Sequence, residues 1–183
     1  LSEVDEADLM KHVVMVRHNS YLFKGTVEEN LRMAKTDVSK EEMEAVLQKV
    51  NLLGFLQTQD GLQTKLQEKA GNLSGGQCQR LVIARALLKD AEVYIFDEAT
   101  SNIDVESEEL IMDVIHELAK KRTVLLISHR LANVVKSDRI YFLKDGKIKE
   151  SGKHEELMQK NGAYRHLYES QMALENYGKR DNR

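Results

Sequence analysis

Two acids stand side by side at Asp97-Glu98, directly after the apolar run Val93 to Phe96. A short continuous run of β-forming residues reads as a buried strand, which places the acid pair at its carboxyl edge. In open parallel sheets ligands gather outside that edge, and a pair of hard oxygen donors there suits magnesium and the handling of a water molecule. A second run, Thr123 to Ile127, ends in Ser128-His129-Arg130 and delivers an imidazole to the same kind of edge. Upstream lies Leu73-Ser74-Gly75-Gly76-Gln77, followed by the helical run Cys78 to Leu88. Adjacent glycines let backbone approach a ligand closely, and the helix they introduce begins with unpaired N–H groups and a positive dipole end. That combination is a cradle for an anion.

The elements that must position these groups follow from the apolar pattern. Between the two strands, Leu110, Ile111, Val114, Ile115 and Leu118 share one helical face within Val105 to Lys121. Strand, helix, strand is a parallel crossover, so Asp97, Glu98 and His129 are expected on the same side of one sheet. Composition fits one soluble globular unit with a sizeable core: 183 residues, 42% hydrophobic, formal charge −3, one cysteine and no proline. No basic run points to nucleic acid, and no apolar stretch approaches the length of a membrane span. A single cysteine speaks against a disulfide scaffold. Cys78 reads either as a thiol activated at a helix start or as a small packed residue.

Taken in order, L-S-G-G-Q, V-Y-I-F-D-E-A-T-S-N-I-D and L-L-I-S-H-R resemble the nucleotide-binding domain of an ATP-binding cassette (ABC) transporter. The resemblance implies an α/β fold, a P-loop NTPase (RecA-like) core with a parallel sheet and an inserted α-helical subdomain. It makes Leu73, Ser74, Gly75, Gly76 and Gln77 the signature loop, which contacts nucleotide in trans, and Ser101 to Asp104 the D-loop, with Asp104 in the catalytic set. Asp97 would hold Mg2+ through water, Glu98 would orient and polarise the water that attacks the γ-phosphate of ATP, and His129 would contact that phosphate.

The segment from His18 to Leu31 resembles the Q-loop region of exporter-type cassettes through Leu22, Phe23, Gly25, Thr26, Glu29 and Asn30. Here His18 stands where the family has glutamine, replacing an amide by a softer, titratable ligand. Thr26 with Glu29, and Ser39 with Glu42, have capping-box spacing. Glu68, just before the signature, occupies a segment that in exporters lies near the membrane helices; it reads either as a contact there or as a solvated loop acid. Arg85 interrupts the otherwise apolar run Leu81 to Leu88 and requires a partner. Arg139 to Leu143 and Lys147 to Glu150 flank Asp145-Gly146 as a hairpin.

By this reading residues 1–183 form a single incomplete nucleotide-binding domain. Residues 1–25 supply the Q-loop strand and loop, and 26–88 the helical subdomain with the signature and its helix. Residues 89–160 supply the Walker B, D-loop and switch-histidine core, and 161–183 a helical tail. The chain opens without methionine and contains no G-x-x-x-x-G-K-[ST], so the N-terminal part of the core is expected to be absent and the chain by itself inactive. The function implied is the ATPase domain of a membrane exporter, with ATP and Mg2+ as cofactors. It would work on the cytoplasmic face of the cell membrane as a head-to-tail dimer with a second nucleotide-binding domain. Its transmembrane partners would be met through the Q-loop region and the Glu68 segment, with no nucleic acid involved. The alternatives are a soluble ABC ATPase acting on ribosomes or DNA, and a non-catalytic regulatory domain.

Overall fold

The structure, a computed structural model, describes residues 5–101 and 103–180, with 175–180 described by their backbone alone. Asn102 of the D-loop therefore lies outside the described residues. The chain divides into two compact units, residues 1–127 and 128–183.

The first unit carries a parallel sheet of three strands, β1 (Val13–Arg17), β4 (Val93–Asp97) and β5 (Thr123–Ile127), in the order β1-β4-β5. Strand β4 is central because it pairs with a strand on each side, and the face that carries Tyr94 and Phe96 is covered, both being essentially inaccessible to solvent. Each such aromatic contributes on the order of 2–3 kcal/mol by burial. At the β5 edge Leu125 and Ile127 are half exposed. The crossover between β4 and β5 is α6 (Val105–Ala119), which buries Ile111, Met112 and Ile115. The parallel α/β core expected from the sequence is thus present.

Between β1 and β4 the chain makes a helical excursion. It runs through β2 (Gly25–Thr26), α2 (Val27–Arg32), α3 (Lys40–Lys49), α4 (Leu53–Gln57), β3 (Lys65–Leu66) and α5 (Gly75–Leu88). Both expected capping boxes are formed, Thr26 with Glu29 and Ser39 with Glu42. Helix α5 is enclosed on several sides, with Leu81, Ile83 and Ala84 inaccessible.

The strand expected within residues 1–25 is β1, and a short helix that the sequence does not announce, α1 (Glu6–His12), runs directly into it. Asp5 caps that helix, Glu6 and Asp8 lie in its first turn, and Lys11 and His12 lie in its last. This charge order suits the helix dipole. None of its residues is buried, so there was no apolar periodicity to read.

The second unit holds the hairpin β6 (Ile140–Lys144) and β7 (Lys147–Gly152), then α7 (His154–Gln159) and α8 (Ala163–Arg180). Asp145 and Gly146 both have positive φ at the hairpin turn, as Asp-Gly predicts. The unit's core is centred on Tyr164, fully buried and packed edge-on to Phe142.

Candidate functional site

The carboxylates sit where the sheet ends. Arg17, Asp97 and Ile127 share one register level across β1, β4 and β5, so all three strands finish at the same edge. The His18 N–H donates to the Asp97 carbonyl at 3.2 Å, and the Glu98 N–H donates to the Ile127 carbonyl at 3.0 Å. At Glu98 the ladder stops because the backbone swings to φ +50°. A non-glycine residue in the left-handed region costs roughly 1–3 kcal/mol and persists only where neighbours hold it. Ser101 does so, its N–H and its hydroxyl donating to the Glu98 carbonyl at 3.0 and 2.9 Å. The bend turns the chain out of the strand at Glu98 while leaving Asp97 in register beside Arg17, whose Nε lies 3.6 Å from Oδ2. The Asp97 carboxyl is partly exposed and is a hard oxygen donor at a strand end. Magnesium takes few protein ligands and keeps water and phosphate oxygens, so these residues fit that ion.

The signature begins α5. Ser74 is its N-cap: the hydroxyl accepts from the Gln77 N–H at 3.2 Å, and the Gln77 side-chain oxygen accepts from the Ser74 N–H at 2.9 Å. This capping box fixes the entry to the helix, whose first two N–H groups, those of Gly75 and Gly76, have no partner within an α-helix. Gly76 is buried, and a methyl in place of its hydrogen would run into the Ser107 side chain, with Cβ only 2.7 Å away, and lie 3.1 Å from an Asp104 oxygen. Close packing against α6 therefore accounts for the second glycine. Asp104 itself caps α6, accepting from the Ser107 N–H at 2.8 Å, and that bond holds its carboxyl below the usual carboxylate range. Burial pushes the Cys78 thiol up, and its Sγ lies 3.7 Å from the Ala70 carbonyl. Of the two readings of Cys78, the small packed residue is the one these surroundings fit, since desolvation outweighs any help from the helix start.

The Q-loop region and the Glu68 segment meet in the first unit. Strand β2 pairs with β3, Gly25 opposite Leu66, and the Val27 N–H donates to the Thr64 carbonyl at 3.1 Å. Asn72 then ties Gln67 and Lys65 together, leaving Glu68 exposed at the tip. Tyr21 and Phe23 are both exposed and stand edge to face at 4.8 Å. Arg85 finds its partner here: Nη2 donates to the Tyr21 carbonyl at 2.8 Å. Sequence reasoning missed that acceptor and also missed Arg17. A backbone carbonyl leaves no mark in the sequence, whereas the Arg17 charge stands in plain view immediately before His18.

His129 lies in the second unit, two residues beyond the end of β5. Its carbonyl accepts from Gln171 Nε2 at 2.8 Å, and the Gln171 side-chain oxygen accepts from the Leu131 N–H at 2.9 Å. Among the described residues, no group of three or more His, Cys, Asp or Glu is placed to hold a metal, and no helix is long and apolar enough to cross a membrane.

Comparison with known proteins bears on this arrangement. The sequence model of the family described as ABC transporter matches residues 1–101. An uncharacterized ABC transporter ATP-binding protein of Haemophilus influenzae is 51% identical over 94% of this chain and 31% of its own length. An ATP-dependent lipid A-core flippase of Francisella tularensis is 42% identical over 92% of this chain and 28% of its own length. A solved bacterial Atm1-family ABC exporter with ATP bound superposes with a TM-score of 0.86 at 31% identity, covering 93% of this chain and 30% of that one. The chain spans about a third of the length of the relatives it matches.

Proposed function

The chain belongs to the ABC transporter family, and from that premise we propose that it is part of the ATP-hydrolysing nucleotide-binding domain of a membrane exporter. Mg2+ supplies charge neutralisation on the nucleotide phosphates when bound, and Asp97 is the residue that would hold it. Glu98 orients and polarises the attacking water, and His129 contacts the γ-phosphate. Ser74, Gly75, Gly76 and Gln77, with Leu73 packed behind them, close over ATP held by a second nucleotide-binding domain in a head-to-tail dimer. Tyr21, Phe23 and Glu68 face the transmembrane partner, on the cytoplasmic side of the membrane.

The observation that carries this reading is the ending of β4. Asp97 stays in the ladder while the backbone turns at Glu98 on a left-handed bend, which supports reading the two adjacent carboxylates as having different tasks. The nearness of the Tyr21 to Phe23 loop to the Glu68 segment through β2 and β3 favours an exporter over a soluble relative. Magnesium-dependent ATPase activity of the full-length protein tests the reading, with Glu98→Gln as the control that must lose it. Turnover unaffected by Glu98→Gln would overturn the catalytic assignment.

A further inference from the structure

Arg85 lies on α5 between Ala84 and Ala86, inside an apolar stretch that includes the inaccessible Ile83. No carboxylate pairs with it among the described residues, and burial lowers its pKa with no opposing charge to offset the effect. A half-buried cation without a counter-ion is costly, and an apolar residue of similar length would serve packing better. What the guanidinium does make is the 2.8 Å bond to the Tyr21 carbonyl.

Other bonds reach the same segment. Gln79, also on α5 and almost wholly buried, approaches the Arg17 carbonyl at 3.4 Å. Asn30 of α2, only 1% exposed, accepts from the Phe23 N–H at 2.8 Å and donates to the Phe23 and Thr26 carbonyls at 2.9 and 3.0 Å. Ser20 closes a turn on Arg17, its hydroxyl accepting from the Arg17 N–H at 3.0 Å. All these side chains grip backbone. The path of the loop is thereby set by α5 and α2, while its own side chains, His18, Tyr21 and Phe23, are left exposed. Residues 17 and 21, the two carbonyls taken by α5, bracket His18.

We propose that Arg85, assisted by Gln79, is a positioning residue that locks the His18 loop to the signature helix, so that the two shift as one body during the ATPase cycle. The loop begins at the strand end beside Asp97, and the helix begins at Ser74. A displacement of the loop at its own nucleotide is therefore carried along α5 to the signature that faces the second domain's nucleotide. The inference rests on the exporter reading above for its functional consequence, but not for the clamp itself.

The test uses the full-length protein and Arg85→Met, which keeps an unbranched apolar stem and removes the donor. Hydrogen exchange of the amides from His18 to Leu22 reads the clamp directly and needs no activity: Arg85→Met should speed their exchange about tenfold or more, with α3 unchanged. Exchange identical to the parent would overturn the clamp. Steady-state kinetics read the coupling: kcat for ATP should fall roughly tenfold with KM within about twofold, and Arg85→Lys should regain part of the loss. In a cycle with His18→Ala, the second substitution should add little once Arg85→Met is present, because both act through the same loop. Full additivity would overturn the coupling. If Arg85→Met does not accumulate as folded protein, Arg85→Gln, whose shorter amide falls short of the carbonyl, is judged by the same outcomes. A parent protein without ATPase activity would instead defeat the functional reading, and the exchange result would still decide the clamp.

Discussion

Arg17 and Asp97 lie directly opposite each other where β1 and β4 end, with the guanidinium Nε 3.6 Å from the carboxylate Oδ2. The turn that follows fixes the Arg17 backbone, since its carbonyl accepts from the Ser20 N–H at 3.2 Å. The fixed backbone keeps the guanidinium within reach of Asp97. A cation bound at Asp97 must work against it. Both groups are partly exposed, so the repulsion is limited to about 1 kcal/mol, or roughly fivefold in affinity. Arg17→Ser in the full-length protein should lower the free magnesium needed for half-maximal ATPase activity by about that factor, with a smaller difference at high salt. Coincident magnesium titrations of parent and variant would remove Arg17 from the account.

Glu98→Gln keeps the size of the side chain and the left-handed bend, but removes the carboxylate that polarises water. ATP hydrolysis should fall by about a hundredfold or more, while nucleotide affinity changes little, because the lost interaction belongs to the transition state. Single-turnover rates set beside equilibrium nucleotide binding separate the two effects. A variant losing both in equal measure would mark Glu98 as a residue for binding.

Much of this was legible from periodicity and motif. Val93 to Phe96 and Thr123 to Ile127 are strands, their order is parallel, and Ser74 and Gln77 open a helix, as apolar runs and adjacent glycines predict. The misses share a cause. Helix α1 buries nothing, so it has no apolar stripe to betray it. Arg85 clearly required a partner, but a carbonyl acceptor is chemically the same at every residue, and only the fold selects Tyr21. The tight fit of Gly76 to Ser107 is hidden for the same reason: the sequence marks both residues as small and not as neighbours.

In the second unit, the Tyr164 hydroxyl and His154 Nδ1 are 2.8 Å apart, and burial with the neighbouring Tyr168 raises the phenol pKa to about 12. A neutral acid favoured in the folded state stabilises below its ordinary pKa near 10 and loses that contribution as pH rises towards 12. Denaturant unfolding of the full chain should therefore show stability that holds to about pH 10 and declines beyond it. Tyr164→Phe should lower stability by about 1 kcal/mol at neutral pH, through the lost hydrogen bond, and flatten the alkaline decline. An equally steep decline in the phenylalanine variant would assign the titration to other groups.

Gly76 offers a test of what the second signature glycine is for. If it serves only to let backbone approach a phosphate, Gly76→Ala should weaken nucleotide-driven association of the two domains and leave the stability of this chain unchanged. The packing says otherwise, because the added methyl would meet Cβ of Ser107 at 2.7 Å, and Ser107 is itself buried at the start of α6. Cβ cannot rotate away, so α5 and α6 must part, and overpacking of this kind typically costs about 1–3 kcal/mol. Gly76→Ala should therefore lower the unfolding midpoint of the full chain even without nucleotide. The double variant Gly76→Ala with Ser107→Gly removes the obstructing side chain and should recover part of that loss, although it also introduces a glycine into the first turn of α6. Independent, additive losses in the two single variants would show that the contact does not govern the position of the signature. Recovery of stability without recovery of ATPase activity would assign the glycine both tasks, close packing within the chain and close approach to the phosphate.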